Sequence, residues 1–144
     1  MNAQLNGDLV RLLEIQKELL AKLLAAVKRS AGALRAEDMD AFSQEMENCK
    51  ALMKMADETS GTAEKLRQQM PDEAALPELT RLERDIAYIA GQVEQARRDC
   101  NEVAEHKLKT YGQQIKAIRN NRKGVGGYAV QMQSRDALFI DEKK

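Results

Sequence analysis

The side chains that could take part in chemistry are few and far apart in this sequence. It has one histidine, His106, and two cysteines, Cys49 and Cys100. His106 follows Glu102 by one helical turn, but a zinc site needs three or four ligands and the sequence offers no others with suitable spacing. We therefore expect His106 to be a solvated side chain on a helix, with a zinc ligand as the alternative.

The two cysteines do not have the spacing of a metal site, and both fall on apolar stripes of the sequence. We expect Cys49 and Cys100 to be small core residues whose thiols stay reduced, as in a cytosolic protein. A redox-active disulfide between them is the alternative.

The segment Gly124–Gly127 superficially resembles a phosphate-binding loop. Such a loop follows a strand and opens a helix, whereas this segment would close a helix. No Ser/His/Asp set, carboxylate pair or metal cluster stands out in the sequence. We therefore expect no catalytic residue, no metal, no cofactor and no enzymatic activity.

Composition narrows the classes of protein to consider. Charged residues make up 32% of the 144 residues and aromatic residues 3%, and Ala, Leu, Glu, Lys, Arg and Gln dominate, as is typical of long helices. The 23 basic and 23 acidic residues cancel, which argues against a nucleic acid partner. No apolar run approaches the roughly 20 residues that span a bilayer, and the N-terminus does not resemble a signal peptide. We expect a cytoplasmic protein without membrane insertion.

Apolar periodicity predicts three helices. Gly32 is expected to end the first helix, the acidic Glu37 and Asp38 to open the second, and Pro77 to open the third. Within the second helix, Gly61 costs about 1 kcal/mol relative to alanine and is expected to produce a kink or a break. The predicted helices cover residues 2–31, 37–70 and 77–120.

Each predicted helix carries an apolar stripe. If the second and third helices form an antiparallel hairpin, the numbers of facing residues add up to about 149, and Cys49 faces Cys100. We therefore predict an all-α fold, an elongated antiparallel three-helix bundle or coiled-coil hairpin, over residues 1–123. The stripes consist of Leu5, Leu9, Leu12, Leu19 and Leu23; of Met39, Phe42, Met46, Cys49, Met53, Ala56, Ala63, Leu66 and Met70; and of Leu79, Leu82, Ile86, Ile89, Val93, Ala96, Cys100, Val103, Tyr111, Ile115 and Ile118.

Residues 124–144 form a second part, a flexible Gly-rich tail that follows the bundle. Purely solvating tails are poor in apolar residues, and this tail is not. We expect it to dock on the bundle or on a partner, with a disordered terminus as the alternative. Its apolar side chains are Val125, Tyr128, Val130, Met132, Leu138, Phe139 and Ile140. In the second helix, Met55 or Met70 could also meet a ligand chain, since methionine-rich surfaces adapt to several partners.

The layout as a whole resembles the flagellar export chaperones of the FlgN type, among the FlgN/FliT-like type III secretion chaperones. The resemblance covers nearly the whole chain and includes the Leu-rich first helix, the Glu-Asp-Met-Asp linker at 37–40, the Lys-Ala-Leu-Met sequence at 50–53, and Asn101 in the third helix. The tail is its most discriminating part, with Gly127-Tyr128 after the third helix and Phe-Ile-Asp-Glu-Lys-Lys at 139–144.

The resemblance implies a chaperone without cofactor or catalysis, which binds the hook–filament junction (hook-associated) subunits in the cytoplasm. It would keep these subunits unassembled and deliver them to the flagellar type III export gate. The end of the third helix and the tail would hold the C-terminal helical segment of the cargo, and Tyr128 would contact the export gate. The implied cargo-binding residues are Tyr111, Ile115, Ile118, Val125, Val130, Met132, Leu138, Phe139 and Ile140.

A structural coiled-coil scaffold, or a self-assembling adaptor without an export role, is the alternative. It would use the same apolar seams but would not need the tail. Deletion of residues 124–144 separates the two functions, because a scaffold should keep its function and a chaperone should lose it. Whether the chain is a monomer or forms a homo-oligomer stays open at this point.

Overall fold

The computed structural model describes residues 2–70 and 77–121, which form three α-helices. These are α1 (Asn2–Arg35), α2 (Met39–Gln69) and α3 (Pro77–Asn121). The predicted all-α class with three helices is therefore confirmed. A division between Asn101 and Glu102 separates two units, which are described one at a time below. The predicted domain boundary after residue 123 lies outside the described residues and stays a prediction.

The first helix does not end at Gly32, as the sequence predicted, but continues to Arg35. The N–H of Asp38 donates to the carbonyl of Ala33 at 2.9 Å, and the N–H of Glu37 donates to the carbonyl of Leu34 at 3.1 Å. This is the pattern of a Schellman motif, whose left-handed residue is Glu37, with φ of 59°. The prediction was wrong because the buried neighbours Ala31 and Leu34 keep the helix packed past the glycine.

The same turn opens α2, as the sequence predicted. Asp38 is the N-cap, and its Oδ1 accepts a hydrogen bond from the backbone N–H of Ala41 at 3.1 Å. This bond satisfies one of the four N–H groups that a helix start leaves without an intrahelical partner. The turn therefore ends one helix and starts the next within residues 36–38.

We predict that Glu37→Gly raises the free energy of unfolding by about 1 kcal/mol, because glycine adopts the left-handed conformation without the Cβ penalty. Chemical denaturation of the two proteins measures the difference. Glu47→Gly, at an exposed position inside α2, is the control and should lower the free energy of unfolding by about 1 kcal/mol. Equal destabilisation by both variants would contradict the Schellman assignment.

The second helix passes through Gly61 without a break, so the break is wrong, and the kink that the sequence equally allowed stays a prediction. Gly61 is exposed, and its cost of about 1 kcal/mol is offset by the buried Ala56 and Ala63 on either side. The hydroxyls of Thr59 and Thr62 donate to the carbonyls one turn earlier, at 2.8 and 3.1 Å. The cost of Gly61 is small compared with the tertiary packing of the helix, which supplies most of its stability. The helix is therefore continuous.

In the unit that ends at Asn101, two buried clusters hold the three helices together. Each cluster contains residues of α1, α2 and α3, so the helices form a bundle around a shared core. The first consists of Leu23, Ala26, Val27, Ala31, Cys49, Val93 and Cys100. The second consists of Leu9, Leu13, Ala63, Met70, Leu79 and Leu82.

The membership of the two clusters gives the helix directions. The start of α1 shares a cluster with the end of α2 and the start of α3, and the later part of α1 shares the other cluster with Cys49, Val93 and Cys100. Helix α2 is therefore antiparallel to α1 and α3, as predicted. The Arg67 guanidinium lies 3.1 Å from the Glu83 carboxylate, one residue away from the predicted α2–α3 register. Placement of Cys49 and Cys100 in one core cluster is confirmed.

The buried line of α2 is narrower than the predicted stripe. Its buried members recur every seven residues and are small, namely Cys49, Ala56 and Ala63, and the C-cap residue Met70 continues the line at the same spacing. At the second heptad position, Met39 and Met46 are 45% and 47% exposed, whereas Met53 is half-buried and packs against the first cluster. The assignment of Met39 and Met46 to the core stripe is therefore wrong.

Candidate functional site

The residues that the sequence offered as possible metal ligands or reactive groups are either buried in the core or exposed to solvent. Cys49 and Cys100 are buried free thiols, which confirms the predicted core role. The hydroxyl of Ser30 lies 3.9 Å from the Cys49 sulfur, and burial raises the pKa of the Cys49 thiol. A thiol with a raised pKa is a poor nucleophile at neutral pH because little thiolate is present. His106 is exposed, as predicted.

The two thiols line a cavity of about 280 Å³ in the unit that ends at Asn101. Met46 and Met53 line it on the α2 side, and the cations Lys50 and Arg97 also line it. Within the described residues, no group of three His, Cys, Asp or Glu side chains is arranged to hold a metal ion. Of the two methionines that the sequence left open as ligand contacts, Met70 is buried and Met55 is 49% exposed.

In the unit that begins at Glu102, the described residues carry an apolar line on α3, which we call the C-terminal seam. It consists of Ala104, Leu108, Tyr111, Ile115 and Ile118, which follow one another at steps of four and three residues. This spacing places them on one face of the helix. Ala104 is buried, Leu108 and Ile115 are half-buried, and Tyr111 and Ile118 are 38% and 37% exposed.

Three predicted cargo-binding residues, Tyr111, Ile115 and Ile118, therefore lie together on this seam. Ala104 and Leu108 also belong to it, but the sequence-based stripe ran through Val103 to a gap at Lys107. Two successive steps of four residues, from Cys100 to Ala104 and on to Leu108, shift the heptad phase at this point. This shift is the signal that would have identified both residues.

Charge is a second feature that the sequence interpretation missed. Between His106 and Lys123 the chain has six Lys or Arg residues and no Asp or Glu. Residues 1–105 have fourteen Lys or Arg and twenty Asp or Glu. The zero net charge of the chain thus conceals a basic segment that contains the exposed part of the seam. Counting charge along the chain, rather than over the whole chain, would have shown it.

The remaining predicted site residues lie outside the described part of the chain. They are the proposed gate contact Tyr128 and the apolar residues Val125, Val130, Met132, Leu138, Phe139 and Ile140. Their assignment to cargo or gate binding stays a prediction.

Comparison with known proteins found no matching family model, no matching curated protein and no matching solved structure. Of the helices in the described part, none has a stretch long and apolar enough to cross a membrane.

Proposed function

We propose that this chain is a cytoplasmic chaperone of the FlgN type, which binds the C-terminal helical segment of hook-associated junction subunits and delivers them to the flagellar type III export gate. The observation that supports this proposal best is the C-terminal seam. It is a line of apolar side chains at heptad spacing, and two of its large members, Tyr111 and Ile118, remain more than one third exposed.

The seam suits a helical partner for a physical reason. An amphipathic helix presents apolar anchors at positions i, i+3, i+4 and i+7, and these match steps of four and three residues on the facing helix. Burying Tyr111 and Ile118 against such a helix removes apolar surface from water on both sides. Junction subunits polymerise through amphipathic terminal segments, so a chaperone that covers one of them keeps the subunit unassembled.

The proposal is tested with purified proteins. The full chain is titrated into a hook-associated junction subunit, and into the same subunit without its C-terminal segment. We expect saturable binding to the intact subunit and none to the shortened one. Binding to neither, together with concentration-dependent self-association of the chain, would favour a coiled-coil scaffold instead.

We predict that truncation after Lys123 leaves helicity and melting nearly unchanged but greatly weakens cargo binding. Among the described residues, the two buried clusters of the bundle extend no further than Cys100, whereas the proposed cargo site includes apolar residues of the tail. Circular dichroism and titration with the junction subunit measure the two effects. Cargo binding at full strength by the truncated chain would show that residues 124–144 do not contribute.

Tyr128→Ala should reduce delivery to the gate and leave cargo affinity largely intact.

A further inference from the structure

The basic segment of this chain coincides with the proposed partner-binding surface. Six Lys or Arg residues between His106 and Lys123 stand without a single Asp or Glu, although the chain as a whole is neutral. Exposed helices of soluble proteins usually carry both acidic and basic side chains, which can form ion pairs at i,i+4 along the helix. A run of one sign instead produces a positive potential around this part of α3.

Two of these cations lie at the borders of the C-terminal seam. Lys107 precedes Tyr111 by four residues, and Arg119 follows Ile115 by four, so each is a neighbour of a seam residue on the helix surface. In heptad terms they occupy the e and g positions, next to the apolar positions of the seam. Both side chains are half-buried, and the aliphatic stems of Lys and Arg can cover apolar surface next to a seam.

From this placement we infer that the segment bound by the seam is an acidic amphipathic helix, whose apolar stripe is bordered by Asp or Glu residues. This inference rests on the proposed function and specifies the chemistry of the partner at the same site. The apolar stripe supplies contact with Tyr111 and Ile118. The carboxylates pair with Lys107 and Arg119 and fix which helices bind and in which register.

The shape of the seam favours a helix over an anionic membrane surface. Helices that lie on membranes present a broad apolar face with Trp, Phe or Leu. Between Ala104 and Asn120 the chain has no Trp or Phe, and its apolar positions form a line at heptad steps. A line of this kind is the geometry with which one helix packs on another.

The test uses three synthetic peptides with one leucine heptad stripe and Glu, Gln or Lys at the positions that border it. Binding of each peptide to the full chain is measured by fluorescence anisotropy at low salt and at about 0.5 M NaCl. We expect the Glu peptide to bind roughly tenfold more tightly than the Gln peptide at low salt, and the Lys peptide more weakly than either. High salt should remove most of this difference.

The charge-reversal variant Lys107→Glu/Arg119→Glu should lose the preference for the Glu peptide or invert it. Lys107→Gln/Arg119→Gln is a milder second variant, which should bring the Glu and Gln peptides to within about twofold of each other. The control is Lys54→Glu/Lys65→Glu, which makes the same change in net charge at exposed positions of α2 and should leave the preference unchanged.

Equal binding of the three peptides, or equal effects of the control and the charge-reversal variant, would overturn the inference. Binding to vesicles that contain anionic phospholipid, with no binding to any peptide, would also overturn it and would favour a membrane surface. The proposed function is judged separately by the junction subunit. If the subunit binds and Lys107→Glu/Arg119→Glu does not change its affinity, the inference fails and the proposed function stands. If the subunit does not bind but the Glu peptide binds with the expected preference, the proposed function fails and the preference of the seam for an acidic helix stands.

Discussion

Leu79→Ala is expected to lower the free energy of unfolding by about 3 kcal/mol, a large part of the total stability of a domain of this size. Leu79 is 0% exposed and belongs to the cluster that joins the start of α1, the end of α2 and the start of α3. Truncation removes its apolar contacts and leaves a cavity, because the surrounding helices relax only partly. Chemical denaturation followed by circular dichroism measures the effect.

The matched control for this variant is Tyr88→Ala, in the same helix. Tyr88 is 69% exposed, and its hydroxyl accepts only an exposed hydrogen bond from Gln92. We expect its free energy of unfolding to change by less than about 0.5 kcal/mol. Similar losses in the two variants would mean that the second cluster does not hold the bundle together.

Tyr111→Asp/Ile118→Asp is expected to weaken binding of the junction subunit by about a hundredfold or more, the largest effect on binding that we predict. Each substitution removes an apolar anchor and places a carboxylate where the partner helix would have to desolvate it. Because both side chains are more than one third exposed, the free energy of unfolding should change by only about 1 kcal/mol or less. Titration and denaturation of the same preparation separate the two effects.

Met55→Asp/Tyr88→Asp is the control for the seam variant. It introduces the same two charges in the unit that ends at Asn101, at Met55 and Tyr88, whose side chains are 49% and 69% exposed. We expect this control to bind the junction subunit as tightly as the unchanged chain. If both double variants weakened binding to the same extent, the effect would come from net charge and not from the seam.

The fold could be predicted from the sequence wherever apolar periodicity was strong. Apolar stripes predicted the three helices, and the stripes of α2 and α3 together predicted the antiparallel register that places Cys49 and Cys100 in one cluster. Single residues predicted the helix ends less well: α1 continues past Gly32 to Arg35, because Ala31 and Leu34 are buried, and the left-handed residue that follows the helix is Glu37. For α2, heptad spacing placed Met39 and Met46 in the core stripe, but both are exposed, and the buried residues of this helix are Cys49, Ala56 and Ala63.

The candidate site could be predicted in part. Spacing placed Tyr111, Ile115 and Ile118 on one apolar stripe, and the resemblance to the export chaperones implied their role in cargo binding. Ala104 and Leu108 were missed because the heptad phase shifts after Cys100. The basic border of the seam was missed because a net charge of zero hides charges that are separated along the chain. The exposure of Tyr111 and Ile118, 38% and 37%, depends on tertiary packing and could not be predicted from spacing alone.

Site-specific photo-crosslinking tests the central claim most directly, namely that the C-terminal seam binds export cargo. A photo-reactive phenylalanine analogue is incorporated at Ile118, the chain is mixed with a purified hook-associated junction subunit, and the product is mapped by mass spectrometry. Incorporation at Tyr88, which is more exposed, is the control. We predict a covalent product from position 118 that maps to the C-terminal helical segment of the subunit, and none from position 88. Crosslinks of equal yield from both positions, or from neither, would contradict the account.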